Sequence, residues 1–255
     1  MENLFQIFLI SIIQGITEFV PVSSSAHINL LSKIFDYEKT ELILNISAHF
    51  GSLIAVIIFF RLEIFQMRKN KNLFFKIIIS SIPLIIVGYF LVKYQITPYL
   101  RSLEIMGWAT IIFGIVIYFA DKFETSNSIK KNFDIKNAII VGCFQILALI
   151  PGASRSGVTI TGTRLLKFNR VDSAKIAFLL SIPALGASSI YGVYELINQD
   201  DLFLNIGAIF TAFLSFLFSY FTIKYFLIYL KKFNLNLFVI YRLILGFIIL
   251  FVVYL

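Results

Sequence analysis

The chain has 255 residues, of which 59% are apolar and only 14% charged, and its mean hydropathy is +0.89. A soluble domain carries roughly 25% charged residues, so this chain cannot cover itself with polar surface and the bilayer must serve as its solvent. Its formal charge of +8 lies in short loops between apolar runs, which is a signature of membrane topology; no contiguous basic face exists to track a phosphate backbone, and nucleic-acid binding is excluded.

The first apolar stretch, residues 4–20, runs into Pro21-Val22-Ser23-Ser24-Ser25-Ala26-His27. No cleavable signal peptide is expected, because no basic region precedes it and no small-residue cleavage site follows. Spans are then predicted at about 42–60, 73–93 and 103–120. Residues 138–150 run into a second polar break, Pro151-Gly152-Ala153-Ser154-Arg155-Ser156-Gly157, and three further spans follow at about 171–194, 203–226 and 237–255. After each break comes a short, weakly apolar stretch ending near Lys33 or Lys167. The one cysteine, Cys143, lies in an apolar run and is expected to be a small buried residue.

The two breaks resemble each other. With Pro21 placed on Pro151, Phe19-Val20-Pro21 lies on Leu149-Ile150-Pro151 and Ser24 on Ser154; Ala48 to Ser52 roughly matches Ala177 to Ser181. An internal duplication is therefore expected, with one repeat over about 1–120 and another over about 137–255, in a single membrane domain covering 1–255. Loop charge fixes the layout. If each break is a re-entrant hairpin, the loops near 61–76, 121–136, 164–175 and 224–232 share one face and carry sixteen Lys and Arg, whereas the other face holds only Lys33, Lys39, Lys93 and Arg101. The positive-inside rule puts the sixteen in the cytoplasm and both termini outside. If both breaks crossed the membrane, the basic residues would divide about evenly. The expected fold is thus an all-α integral membrane protein, an inverted-topology repeat of six transmembrane helices plus two re-entrant helix-loop-helix hairpins.

Non-helical backbone survives at membrane depth only inside protein or along a wet cavity. Pro21 and Pro151 each stop a helix, and the serines cap the next one. Two half-helix N-termini near the midplane, facing each other, make an anion site. Arg155 adds a planar, fixed charge suited to phosphate. Ser23, Ser25, Ser154, Ser156 and Thr159 bring hydroxyl donors, with Gly152 and Gly157 allowing close backbone approach. Glu18, an intramembrane carboxylate, suits a divalent cation or acid–base work, and Gln14 one turn earlier suits coordination or hydrogen bonding. His27 follows Ser24 by three residues on one helix face, a nucleophile–base spacing. The bland alternatives are a structural Glu18–Arg155 ion pair, an interhelical hydrogen bond for Gln14 and a buried, hydrogen-bonded His27. His49 reads as helix packing. Arg242 is expected to snorkel or to pair with Glu195, with no assigned role.

At Gln14-Gly15-Ile16-Thr17-Glu18-Phe19-Val20-Pro21-Val22-Ser23-Ser24-Ser25-Ala26-His27 and Pro151-Gly152-Ala153-Ser154-Arg155-Ser156-Gly157-Val158-Thr159, the chain resembles the bacterial undecaprenyl-diphosphate phosphatases of the bacitracin-resistance type. The resemblance implies hydrolysis of the C55 isoprenoid diphosphate to its monophosphate and recycling of the carrier for peptidoglycan synthesis. It implies a Mg2+ or Ca2+ requirement, with Glu18 and Gln14 as ligands. It also implies Glu18, Ser24, His27 and Arg155 as catalytic residues, with Ser23, Ser25, Ser154, Ser156, Gly157 and Thr159 binding substrate. Gln14 stands where the family more commonly has a first Glu, and Ala26 where glycine is frequent. The implied setting is the bacterial cytoplasmic membrane, with multiple passes and the active site facing outward. The expected partners are a polyprenyl diphosphate lipid and the bilayer, with a homodimer allowed. The rival reading is a transporter or flippase of an anionic polyprenyl lipid, which would use the same scaffold.

Overall fold

The computed structural model describes residues 2–35, 38–69, 71–197 and 202–255, although the side chains next to the gaps lie outside what it describes. In chain order its helices are α1 (Glu2–Thr17), α2 (Ser24–Phe35), α3 (Glu38–Phe59), α4 (Arg61–Lys69), α5 (Lys71–Lys93), α6 (Thr97–Leu100), α7 (Leu103–Asp121), α8 (Ile129–Asn132), α9 (Ile135–Ile146), α10 (Arg155–Leu165), α11 (Arg170–Ile197), α12 (Leu202–Leu230) and α13 (Asn236–Tyr254). No strand occurs among the described residues. Among the described residues five stretches are long and apolar enough to cross a membrane: Asn72–Lys93, Leu103–Asp121, Arg170–Ile190, Ile206–Leu230 and Asn236–Tyr254. The span expected at 42–60 falls within α3, whose described apolar stretch is Ile43–Phe59. The stretch read as a loop near 61–76 is helical over Arg61–Lys69. The acidic 195–203 loop, with Glu195, lies outside the described residues or side chains.

Outward faces carry large apolar side chains, among them Ile85, Ile209 and Phe247, as lipid contact requires. Cys143 is also exposed; an apolar residue facing lipid needs no burial in protein, so the sequence expectation of burial fails there. Between helices the contacts are small and polar. Gly51 of α3 lies so close to α12 that a Cβ would come within 2.0 Å of Ala212 O. Beside it Ser52 Oγ reaches Ser215 Oγ at 3.1 Å and Ser219 Oγ at 2.9 Å. Lipid tails are as apolar as leucine, so helices in a bilayer associate through close backbone approach and such hydrogen bonds.

α1 leads through the first break into α2, and α9 through a short 3-10 turn (Leu147–Leu149) and the second break into α10. α10 is nearly enclosed, packed against α7, α9 and α11, and α13 lies along α7. At its far end Arg164, counted as a loop charge from sequence, is only 2% exposed. Its Nε lies 3.3 Å from Asp121 Oδ1, and its Nη2 donates to Asp121 O at 2.9 Å. Asp121 also accepts from Arg170 Nε at 2.7 Å and from Leu235 N at 3.0 Å. A desolvated guanidinium requires such a partner, and here the pairing ties the ends of α7, α10, α11 and α13 together.

Candidate active site

Each break is built around a serine in left-handed backbone conformation, Ser23 at φ 73° and Ser154 at φ 69°. The two are locally alike. Ser154 Oγ accepts from Gly157 N at 3.2 Å and Ser23 Oγ from Ala26 N at 3.4 Å, so each caps the helix that follows. Ser23 Oγ is 3.2 Å from Ser25 Oγ, and Ser154 Oγ is 3.2 Å from Ser156 Oγ. The geometry therefore matches Ser23 with Ser154, one residue away from the sequence pairing of Ser24 with Ser154. The breaks also brace one another: Gly152 N donates to Ser25 Oγ at 3.4 Å and Ser156 Oγ donates to Val20 O at 3.0 Å. Gly152 has φ 94°, and a Cβ there would come within 2.4 Å of Met106 O, so no other residue fits this turn.

Where the breaks meet there is a cavity of about 250 Å3, lined by Gln14, Glu18, Ser23, Ser24, Ser25, Asn45, His49, Ser154 and Arg155 among others. Glu18 is its hub. Its Oε1 accepts from Arg155 Nη2 at 2.5 Å, joining the two breaks by an ion pair. Its Oε2 accepts from Gln14 Nε2 at 2.7 Å and from Ser24 Oγ at 3.2 Å. Arg155 Nη1 donates to Ala177 O at 2.9 Å, which fixes the guanidinium plane. His49, read from sequence as helix packing, enters this cluster instead, with Nδ1 2.8 Å from Gln14 Nε2 and 3.7 Å from Glu18 Oε2. It sits on α3, about thirty residues along the chain from Glu18, and only the packing of α1 against α3 brings the two together.

Other residues expected at the site are engaged elsewhere. His27 makes no hydrogen bond to Ser24. Its Nδ1 lies 2.7 Å from Ser23 O and its Nε2 2.5 Å from Tyr241 OH, and its ring stacks on Tyr241 at 5.6 Å between centroids. The i,i+3 spacing does not bring the two together: Ser24 Oγ stays on Glu18 at the cavity, while the His27 ring turns to Tyr241 of α13. Thr159 Oγ1 donates back to Arg155 O at 2.8 Å, Ser156 reaches across to Val20, and Gly157 packs beneath Arg242. These three hold the fold of the breaks and do not line the cavity. Arg242 neither snorkels nor pairs with a carboxylate among the described residues; it is fully buried, with its guanidinium on backbone carbonyls. The sequence signal for it was present, since an arginine inside an apolar span is costly and calls for a purpose.

Chemically, the cavity offers a cation, several hydroxyls, two helix N-termini and one carboxylate. Gln14 Oε1 and Asn45 Oδ1 are buried there without a hydrogen-bond partner. With Glu18 they give three oxygen-bearing groups facing one space, a donor type suited to a hard divalent cation. Among the described residues no three His, Cys, Asp or Glu side chains gather as a closed metal cage. The set therefore fits an ion that shares its coordination with a phosphorylated ligand, as Mg2+ commonly does.

Comparison with known proteins places the whole chain. Residues 7–248 match the family model described as bacitracin resistance protein BacA. The undecaprenyl-diphosphatase of Pelagibacter ubique (strain HTCC1062) is 46% identical over 254 residues, 99% of each chain. Those of Ruegeria sp. (strain TM1040) and Jannaschia sp. (strain CCS1) are each 36% identical; the alignments cover 98% and 99% of this chain, and 99% of each relative. With a family model spanning most of its length and full-length relatives at these identities, the chain belongs to the bacitracin resistance protein BacA family.

Proposed function

We propose that this protein is a membrane phosphatase that hydrolyses undecaprenyl diphosphate to undecaprenyl phosphate and inorganic phosphate, returning the lipid carrier to cell-wall synthesis. The observation that carries the reading is the Glu18–Arg155 pair at 2.5 Å, one residue from each break, at the wall of a polar cavity inside an otherwise apolar protein. The relatives named as undecaprenyl-diphosphatases across essentially the full chain support the substrate.

In this reading the diphosphate head enters the cavity while the prenyl chain stays in lipid. Arg155 exchanges its bond to Glu18 for bidentate contact with the terminal phosphoryl oxygens. Ser23, Ser24, Ser25 and Ser154, with the N–H groups opening α2 and α10, bind the remaining oxygens. The attacking oxygen comes from water or from Ser24, and Glu18 Oε2, already accepting from Ser24 Oγ, takes the proton. The bond from the terminal phosphorus to the bridging oxygen breaks, and that oxygen leaves with the prenyl monophosphate. If Ser24 attacks, water then releases phosphate from the serine. Gln14, Glu18 and Asn45 would hold a divalent cation, which would supply charge neutralisation at the phosphates.

We further read the fold as six spans with two hairpins entering from opposite faces, in the inner membrane, with the cavity open to the outer side. The sixteen basic residues on one face support this sidedness, and the matched caps of the two breaks support the inverted repeat. Purified protein given undecaprenyl diphosphate should release phosphate, lose that activity to a chelator and regain it with Mg2+ or Ca2+. Movement of intact lipid between vesicles with no phosphate release would instead support a transporter and sink the phosphatase reading.

A further inference from the structure

Two adjacent residues of the last helix hold what the two breaks leave unsatisfied. Arg242 is 0% exposed. Its Nη1 donates to Ala153 O at 3.0 Å and to Pro21 O at 3.3 Å, its Nη2 to Gly152 O at 2.9 Å and its Nε to Thr110 O at 3.1 Å. Pro21 belongs to the first break, and Gly152 and Ala153 to the second. Among the described residues no backbone N–H donates to any of these three carbonyls, because the chain reverses there and no helix supplies one. The planar fork of an arginine, with five donors, is the one side chain that can reach carbonyls of both breaks at once.

The space for it is made by glycines. A Cβ at Gly157 would lie 3.0 Å from Arg242 Nη1, and one at Gly114 would lie 3.1 Å from Arg242 Cβ. The carbonyls it holds come one or two residues before Ser154 and two before Ser23, the two serines in left-handed conformation. Such backbone is kept only when its surroundings over-determine it. Tyr241, the preceding residue, turns to another face of α13 and contacts His27, whose other ring nitrogen meets Ser23 O. With a neutral ring, Nδ1–H donates to that carbonyl and Nε2 accepts from the tyrosine hydroxyl. α13 thus touches the first break at Pro21 and His27 and the second at Gly152 and Ala153, although it contributes nothing to the cavity wall.

We infer that Tyr241 and Arg242 are positioning residues for the phosphatase reaction: Arg242 locks the two breaks in register, so that Ser23, Ser24, Ser154 and Arg155 address one phosphoryl group, and Tyr241 sets His27 against Ser23. This rests on the reading given under Proposed function. A wrong register between the breaks weakens transition-state contacts more than it weakens capture of the lipid, so kcat falls while KM holds.

The test is steady-state kinetics of phosphate release from undecaprenyl diphosphate, with melting curves in the same detergent. Tyr241→Phe removes one hydroxyl at a partly exposed position; it should melt with the wild type and lose about fivefold to tenfold in kcat with KM little changed. Arg242→Lys keeps the charge but cannot span both breaks, and should lose about 30-fold or more in kcat. Should that variant fail to fold, Gly114→Ala decides, because the three atoms nearest its Cβ all belong to Arg242, at 3.1, 3.5 and 3.7 Å; it should lose about tenfold in kcat. Folded variants with kcat within about twofold of wild type would overturn the inference, as would losses confined to KM. A wild type that releases no phosphate would overturn the phosphatase reading and this role with it, whereas active wild type beside equally active variants would overturn this role alone.

Discussion

At the scale of single residues, the site turns on one carboxylate shared by two hairpins. Glu18 uses one oxygen on Arg155 and the other on Gln14 and Ser24, so removing it releases a partly buried guanidinium and a serine together. Glu18→Ala and Arg155→Ala should each lower turnover roughly 100-fold or more while leaving the protein inserted, as measured by phosphate release from purified, detergent-solubilised protein. Ser156 and Thr159 are instead bonded to backbone at Val20 and Arg155. Their alanine variants should cost stability more than they cost activity per folded molecule, at about 1 kcal/mol for each lost hydrogen bond. The same kinetics beside a thermal melt separate the two groups. Glu18 and Arg155 were legible in the sequence because an isolated charge in an apolar run needs a partner. The division of the serines was not legible, because it depends on which of two nearby hydroxyls turns toward the cavity.

At the scale of elements, helices are joined by close approach and by hydroxyls. The α3–α12 contact is the clearest case, with Gly51 against Ala212 O and the Ser52, Ser215 and Ser219 hydroxyls in one cluster. α3 carries His49 and Asn45 into the cavity, so this packing also sets the site. Gly51→Ala places a Cβ where a carbonyl already lies and should cost about 1–3 kcal/mol, seen as a lower melting midpoint and a smaller folded fraction after detergent extraction. His49 was read as packing because sequence spacing relates residues within one helix only. Its meeting with Glu18 depends on how α1 and α3 are rotated about their axes.

Across the whole molecule, α13 holds the two breaks through Arg242, and the Asp121 cluster ties the ends of α7, α10, α11 and α13 together. Asp121→Asn would leave Arg164 buried without a counter-charge, a change that costs about 3–5 kcal/mol in buried pairs. The expected result is a sharp loss of folded protein, and Arg164→Met added to Asp121→Asn should restore part of it. Sidedness can be read directly. With Cys143→Ser as background, Lys131→Cys should react with an impermeant thiol reagent only from the cytoplasm and Arg101→Cys only from outside. The reverse pattern would sink the proposed topology. By itself, the sequence determined that this is an apolar, multi-pass, helical protein with two polar breaks, and which charges lie in them, because hydropathy, proline and charge act locally along the chain. Tertiary structure alone decided that His49 meets Glu18, that His27 turns to Tyr241 and that Arg242 serves both breaks. The reason is geometric: a helix turns about 100° per residue, so which side chains converge depends on the rotation and depth of helices far apart in the chain.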